Sequence, residues 1–310
     1  MYRFLQMRKK VFYAMLFMIT SILVGACSSY TDVFAKDIVQ VSTVSPEYVA
    51  DNLAESLKED IEAVVRNVIR RFKSITNGGF IKSGWIEIGN NRYKLDENGR
   101  FYKNCWKKIS NTWYFFDQRG AVYTGWHYIN GYKYYFDRLG RLVQDTEKLI
   151  GPQDSYFISV NREKNQVMIF AKDGDNGYTI PVKSFVCSVG LNNSTITGTY
   201  STTDMYEWRE LVGHTYGQYA VRIHGPYLFH SVPGTAMNKY SISASEFNKL
   251  GEPASHGCVR LCVRDAKWIY DHCKRGTVVT ISDTAYMPFD KPVMTKIPEG
   301  QNWDPTDPGL

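Results

Sequence analysis

At 310 residues the chain has room for about two domains, and 44% hydrophobic with 15% aromatic residues is ample for a folded core. Its formal charge of +6 does not mark a nucleic-acid binder. Arg3, Arg8, Lys9 and Lys10 supply four of those charges within 26 residues that hold no acid, leaving about +2 on the rest.

Those four basic residues precede an apolar run from Val11 to Ala26, which is short and poorly flanked for a spanning helix and reads as an export signal. Val24-Gly25-Ala26-Cys27 resembles a lipobox that would place a lipid on Cys27, whereas Val33-Phe34-Ala35 resembles an ordinary cleavage site. An uncleaved anchor is the third option. Residues 1–35 are assigned to this signal, and each option puts the body of the protein outside the cytoplasm, with membrane association open through the N-terminus. Beyond Cys27 five cysteines remain, and an odd number in an exported chain leaves at least one thiol unpaired or intermolecular. Cys258 is the natural one to stay free, while Cys187, Cys262 and Cys273 read as small buried hydrophobes.

Residues 36–79 form an expected helical stalk. From Pro46 to about Ile75, Val49, Leu53, Leu57, Ile61, Val64, Val68 and Phe72 recur at three- and four-residue spacing, an amphipathic pattern that stops at Asn77-Gly78-Gly79. Its apolar face suits packing or self-association.

Residues 80–145 hold an internal repeat. Trp85, Trp106 and Trp126 lie 21 and 20 residues apart, with Tyr93, Tyr114 and Tyr134 and an Asp-x-x-Gly turn at the same period. Alternating aromatic and polar residues predict three short β-hairpins, which need stacking to be stable. These units resemble the choline-binding or glucan-binding repeats of Gram-positive surface proteins. The resemblance implies aromatic cages or sugar platforms at Trp85, Trp106, Trp113, Trp126 and Tyr134. A second Trp per unit is kept only at Trp113, Arg92 and Lys133 taking its place elsewhere. Eleven Lys/Arg against six Asp/Glu suit an anionic wall polysaccharide or teichoic polymer. Aromatics that only glue hairpins together are the plain alternative.

The remainder alternates as strands do: Tyr156–Val160, Gln166–Phe170, Phe185–Gly190 and Tyr219–His224, with a short helix from Asp265 to Cys273. Within it stands Ser255-His256-Gly257-Cys258-Val259-Arg260, preceded by His230-Ser231. A thiol needs a nearby base and a field favouring negative charge before it acts as a nucleophile. His230 can be that base, and the amides around Gly257 and Cys258 can receive a developing oxyanion. Zinc ligation by His224, His230, His256 and Cys258 fits no Cys/His finger spacing and the chain holds no HExxH-like element, so neither metal nor cofactor is expected.

Ser-His-Gly-Cys-Val-Arg-Leu with Asp265 and the upstream His-Ser, together with Thr197-Gly198-Thr199-Tyr200, resembles the L,D-transpeptidase (YkuD-type) catalytic domain. The resemblance covers roughly Asp154 to Asp283, within an expected domain of residues 152–283 and a tail of 284–310. It implies a β-sandwich catalytic domain, which with the β-hairpin repeat solenoid and the N-terminal amphipathic helix read above makes an expected mainly β chain. It implies Cys258 as nucleophile, His230 as base with its ring oriented by the carbonyl of the next residue, and an oxyanion site at the Gly257 and Cys258 amides beside His256. Ser255 is expected to hydrogen-bond locally, and Arg260 to hold either the loop or a substrate carboxylate. His224, read as sharing an extended segment with His230, is expected to line the cleft or to be structural. Ser231 and Tyr240 are expected at the substrate, Tyr240 within an inserted stretch, Lys239 to Glu252, that is either a lid or a surface loop. The implied reaction is 3→3 cross-linking of peptidoglycan stem peptides through a thioacyl-enzyme. L,D-carboxypeptidase activity, wall-peptide hydrolysis and a non-catalytic wall-binding protein are the alternatives.

Overall fold

The computed structural model describes residues 84–310, so the export signal and the expected helix Pro46–Ile75 lie outside the described residues. These separate into two compact units, 84–104 with 117–121, and 105–116 with 122–310. The division falls inside the repeats.

The first unit is built on the hairpin β1 (Gly84–Ile88) and β2 (Asn91–Leu95). Beyond β2, Asp96 Oδ1 accepts the amides of Asn98 and Arg100 at 2.9 and 2.8 Å, closing the Asp-x-x-Gly turn. The Arg92 guanidinium lies 4.3 Å from the centre of the Trp85 ring.

The second unit opens with two more hairpins, β3 (Cys105–Ile109) with β4 (Thr112–Phe116) and β5 (Gly125–Ile129) with β6 (Tyr132–Phe136). They reverse at Ser110-Asn111 and Asn130-Gly131, all four residues at positive φ, the backbone that matches the twist of paired strands. The Asp-x-x-Gly turns follow each hairpin instead of making the reversal, with Asp137 Oδ1 accepting two amides at 2.9 Å.

After a short helix α1 (Glu147–Ile150) come β7 (Tyr156–Asn161), β8 (Gln166–Ala171), β9 (Ile180–Val186) and β10 (Gly198–Ser201). With the last strand of the chain, β15 (Val278–Ser282), they form a five-stranded sheet ordered β10-β15-β7-β8-β9, parallel only between β15 and β7. A second sheet holds β11 (Met205–Leu211), β12 (Thr215–His224), β13 (Tyr227–Ser231) and β14 (Val259–Leu261) in that order, parallel only between β13 and β14. Ile158, Val160, Val167 and Ile169 of one sheet meet Val221, Phe229, Val259 and Leu261 of the other, making the sandwich core. Helix α3 (Val263–His272) closes it with Ala266, Trp268 and Ile269.

Strand β8 is buried at every position. Alternation sends Val167 and Ile169 into the sandwich, while Met168 and Phe170 pack outward with Phe115, Ile129, Tyr134 and Phe136 of the second and third hairpins. This packing takes Tyr134 out of the expected aromatic ligand positions and leaves Trp106 and Trp113 partly buried. The Trp106 ring centre is 5.0 Å from Tyr134 and 5.3 Å from Phe115. Trp113 Nε1 donates to Asp290 at 3.0 Å, and Tyr134 is 1% exposed. Burying large aromatic surface is itself favourable, so packing accounts for these rings without a ligand. Trp126 alone of the four in this unit stays exposed, at 36%.

Residues 284–310 are tied to the same unit. Met287 and Phe289 join the aromatic cluster, and Asp304 Oδ2 accepts the Val263 amide at 2.7 Å, capping α3 from outside its own sequence. The inserted stretch contains helix α2 (Ala244–Phe247), whose Phe247 is fully buried with Val232 and Ile297, so it is packed structure and not a free loop.

Candidate active site

The parallel pairing of β13 and β14 places His230 opposite Arg260, with Cys258 two residues earlier at the entrance to β14. The approach to Cys258 is held by main-chain bonds. Ser255 N donates to Val189 O at 3.1 Å and Leu191 N to Ser255 O at 2.9 Å, while Arg260 and Ser188 exchange both bonds. Gly257 has a φ of +142°, a conformation open to glycine, and a Cβ there would lie 2.8 Å from the Tyr227 ring. The tight turn that Ser-His-Gly-Cys needs is therefore a steric requirement.

Cys258 is half-buried and its Sγ donates to Pro226 O at 3.6 Å. Burial pushes the thiol above its ordinary range, opposed by a main-chain hydrogen bond at Leu228 and by the charges of Arg260 and Arg222. Burial thus keeps the resting sulfur protonated, so it needs the base that the motif calls for.

His230 is 2% exposed, and its Nδ1 lies 2.6 Å from Ser231 O. A carbonyl only accepts, so Nδ1 carries the proton and Nε2 is the basic nitrogen. Burial lowers the imidazole to about 4, against the Ser231 bond and assisted by Arg260. The adjacent-carbonyl bond implied by the resemblance is present. Room for the ring comes from Gly217 on β12, where a Cβ would fall 2.9 Å from His230 Nδ1. Among the described residues no hydrogen bond links thiol and imidazole in this resting arrangement, as is common before substrate tightens a site.

Other expected residues are placed differently. His224 ends β12 and His230 stands on β13, so they do not share one extended segment; the turn at Gly225-Pro226 separates them. His224 is exposed and stacks on Tyr200 at 4.9 Å. The Ser231 side chain is 2% exposed, accepts Gln218 N at 2.9 Å and donates to Val232 O at 3.1 Å, so it is spent on the sheet and not offered to substrate. Tyr240 is 59% exposed, and its amide bonds to Asn238 in the inserted stretch. Ser255 Oγ donates to Cys258 O at 2.6 Å and accepts Gly257 N at 3.0 Å. The Gly257 amide is therefore occupied, which leaves the amides of Cys258 and exposed His256 unbonded among the described residues. Arg260 is 9% exposed and donates to Glu246 Oε2 at 2.8 Å, an arrangement of loop support and local charge.

Sequence reasoning missed Thr195, Gly217 and Glu246. Thr195 is fully buried, accepts Gly190 N at 2.7 Å and donates to Gly257 O at 2.8 Å. No local pattern marks these residues, since each matters only through a neighbour distant in the chain.

The L,D-transpeptidase catalytic domain (YkuD) profile matches residues 155–281, and a cell wall binding repeat of the choline-binding type matches 106–122 and 124–142. A curated Bacillus subtilis (strain 168) protein assigned as an L,D-transpeptidase, YciB, is 38% identical over 135 residues, 42% of this chain and 67% of the relative. Among solved structures, a fused Zn-dependent amidase/peptidase/peptidoglycan-binding domain-containing protein from Clostridium acetobutylicum is 26% identical at a TM-score of 0.32, over 44% of this chain. The chain spans 58% of that structure's length. An L,D-transpeptidase from Mycobacterium smegmatis is 13% identical at a TM-score of 0.34, covering 64% of this chain and 79% of its own. On the strength of the Bacillus relative, two thirds of which it spans, this chain belongs to the L,D-transpeptidase family.

Proposed function

We propose that the protein is a wall-directed peptidoglycan L,D-transpeptidase that forms 3→3 cross-links through a Cys258 thioacyl-enzyme. The observation that carries this reading is a reachable thiol two residues before Arg260, the residue that the β13–β14 pairing sets opposite His230, whose buried imidazole has its Nδ1 committed to Ser231 O.

Thiol and imidazole are both neutral at pH 7, so the proton moves as the bond forms. Cys258 Sγ attacks the carbonyl of the third stem residue while His230 Nε2 takes the thiol proton. The oxyanion falls to the Cys258 amide, with the His256 amide beside it. Collapse expels the terminal D-Ala amine, which receives that proton from His230, and leaves a thioester. An amine from a second stem attacks the thioester, gives a proton to His230 and forms the new amide; the thiolate regains that proton as it leaves. Water in place of the amine gives carboxypeptidase products. The repeats keep this chemistry at the wall outside the cytoplasm, with Trp126 as the ring still free to meet a wall polymer.

The test is to incubate purified protein with defined disaccharide-tetrapeptides and weigh the products. Cross-linked dimers with loss of D-Ala are expected, absent in Cys258→Ala; cleaved monomers without dimers would replace the transpeptidase reading with a hydrolase. A carbapenem is expected to add covalently to the wild type and not to Cys258→Ala, and an adduct persisting in that variant removes Cys258 from the nucleophile role.

A further inference from the structure

We infer that Thr195 is a positioning residue that aims the Cys258 amide at the oxyanion, a reading that rests on the thioacyl mechanism above. The peptide joining Gly257 to Cys258 has its carbonyl on one side and its N–H on the other, because a trans peptide is planar. Whatever holds the Gly257 oxygen therefore fixes the direction of the Cys258 N–H. Thr195 Oγ1 holds that oxygen, donating to it at 2.8 Å.

The hydroxyl has no freedom to do otherwise. It accepts the Gly190 amide at 2.7 Å, so its single proton is committed to Gly257 O. Thr195 is fully buried, which removes water as a competing partner. Its own main chain is anchored in turn. Thr195 O accepts Arg162 Nη1 at 2.6 Å, and the same guanidinium grips Asp283 through two bonds of 2.7 Å at the end of β15. Closeness is secured by Gly190, where a Cβ would lie 2.9 Å from Gly257 Cα.

The rest of the turn shows why this peptide is the one that matters. Ser255 Oγ occupies the Gly257 amide and the Cys258 carbonyl, so both neighbouring peptides are braced from within the turn. The Gly257–Cys258 peptide is braced from outside, by Thr195, and it carries an amide unbonded among the described residues. A donor pre-aimed at developing charge needs no reorganisation when the charge forms, which is where such a site gains its effect.

Two reagents separate this role from a general loss of structure. Iodoacetamide alkylates a thiol by displacement and builds no oxyanion at the enzyme, whereas p-nitrophenyl acetate and the stem tetrapeptide acylate it through one. In the full protein, Thr195→Val is expected to leave the Cys258 alkylation rate within about twofold of wild type, and to slow acylation by both acyl donors about tenfold or more. The loss should fall on kcat with KM little changed, and Thr195→Ser, which keeps the hydroxyl, should recover most of it. Acylation at the wild-type rate in Thr195→Val overturns the inference, and so does a parallel fall in alkylation and acylation, which would mean a displaced thiol. A wild-type protein that alkylates at Cys258 but is acylated by neither donor defeats the thioacyl mechanism itself, an outcome distinct from either.

Discussion

The turn at residues 254–260 and the aromatic hairpins β3–β6 belong to one compact unit, and both carry side chains that the sequence marks for binding or chemistry. They differ in what holds them. The turn is braced by backbone and hydroxyl bonds, through Ser255, Thr195 and the Val189 carbonyl, which leaves the Cys258 sulfur half-buried. The hairpins are held by the rings themselves, so Tyr134 is buried in the cluster with Met168 and Phe170, and Trp106 and Trp113 are partly buried against it. A reactive group survives folding when other atoms do the holding. An aromatic motif with no separate scaffold becomes its own core.

The sharpest way to break this contrast is to remove the proton acceptor without disturbing the sheet. His230→Gln keeps a polar side chain near Ser231 O but offers no base, and acylation by stem peptide is expected to fall about 100- to 10,000-fold. Alkylation by iodoacetamide at high pH, where hydroxide replaces the base, should continue. Stopped acylation with persistent alkylation places His230 in the chemistry; wild-type acylation in this variant would take it out.

On the hairpin side the expected loss is one of stability. Trp106 contacts Trp113, Phe115, Tyr134 and Phe136, so Trp106→Ala should cost about 3–5 kcal/mol in denaturant unfolding. Retention on purified walls, measured below the midpoint, should change little. Unchanged stability with lost wall binding would restore the ligand role that its packing argues against.

A smaller effect comes from pH. His230 is neutral in the fold, held to about 4 by burial, while in the unfolded chain it titrates near 6.5. Between these values the unfolded chain binds the extra proton, so this contribution is complete above about 6.5 and is lost as pH falls toward 4. A shift of this size is worth about 3 kcal/mol. Unfolding free energies measured from pH 7 to 4.5 should fall more steeply for wild type than for His230→Gln, and equal slopes would mean that the ring is not held neutral.

Legibility in the sequence follows the range of the physics involved. The 20-residue aromatic period and the alternation in β7 and β8 are local, and the hairpins and sandwich strands appear where they predict. The Ser-His-Gly-Cys turn was readable because Gly257 solves a local steric problem. Glu246 beneath Arg260, Gly217 beneath His230 and Thr195 beneath Gly257 were not, since each acts across a sheet or loop contact that no spacing records. The His224 error has the same origin. Gly225-Pro226 reads equally as extended chain or as a turn, and only the pairing of His224 with Tyr227 decides it. The second face of β8 was hidden because the partner that buries it is the repeat region.

The least change is expected at Trp126, where the comparison is finest. Trp126 shares its hairpin with buried Tyr134 and Phe136 yet is 36% exposed, resting against Tyr135 at 5.1 Å with the Lys133 ammonium 5.9 Å from its ring. About two thirds of the residue is covered, so Trp126→Ala should cost about 1–2 kcal/mol, less than Trp106→Ala. A ring flanked by a cation presents an apolar face and a positive rim, suited to a sugar or to an anionic polymer passing over it. If the repeat still binds through its surface, Trp126→Ala weakens retention on purified walls while acylation stays at the wild-type rate and melting falls less than in Trp106→Ala. Salt then distinguishes the two ligands, because screening weakens an anionic polymer and spares stacking on a neutral sugar. Unaltered retention in this variant would extend the lesson of Trp106 to the whole second unit, whose hairpins would then serve the catalytic sandwich as packing and leave wall attachment to other residues.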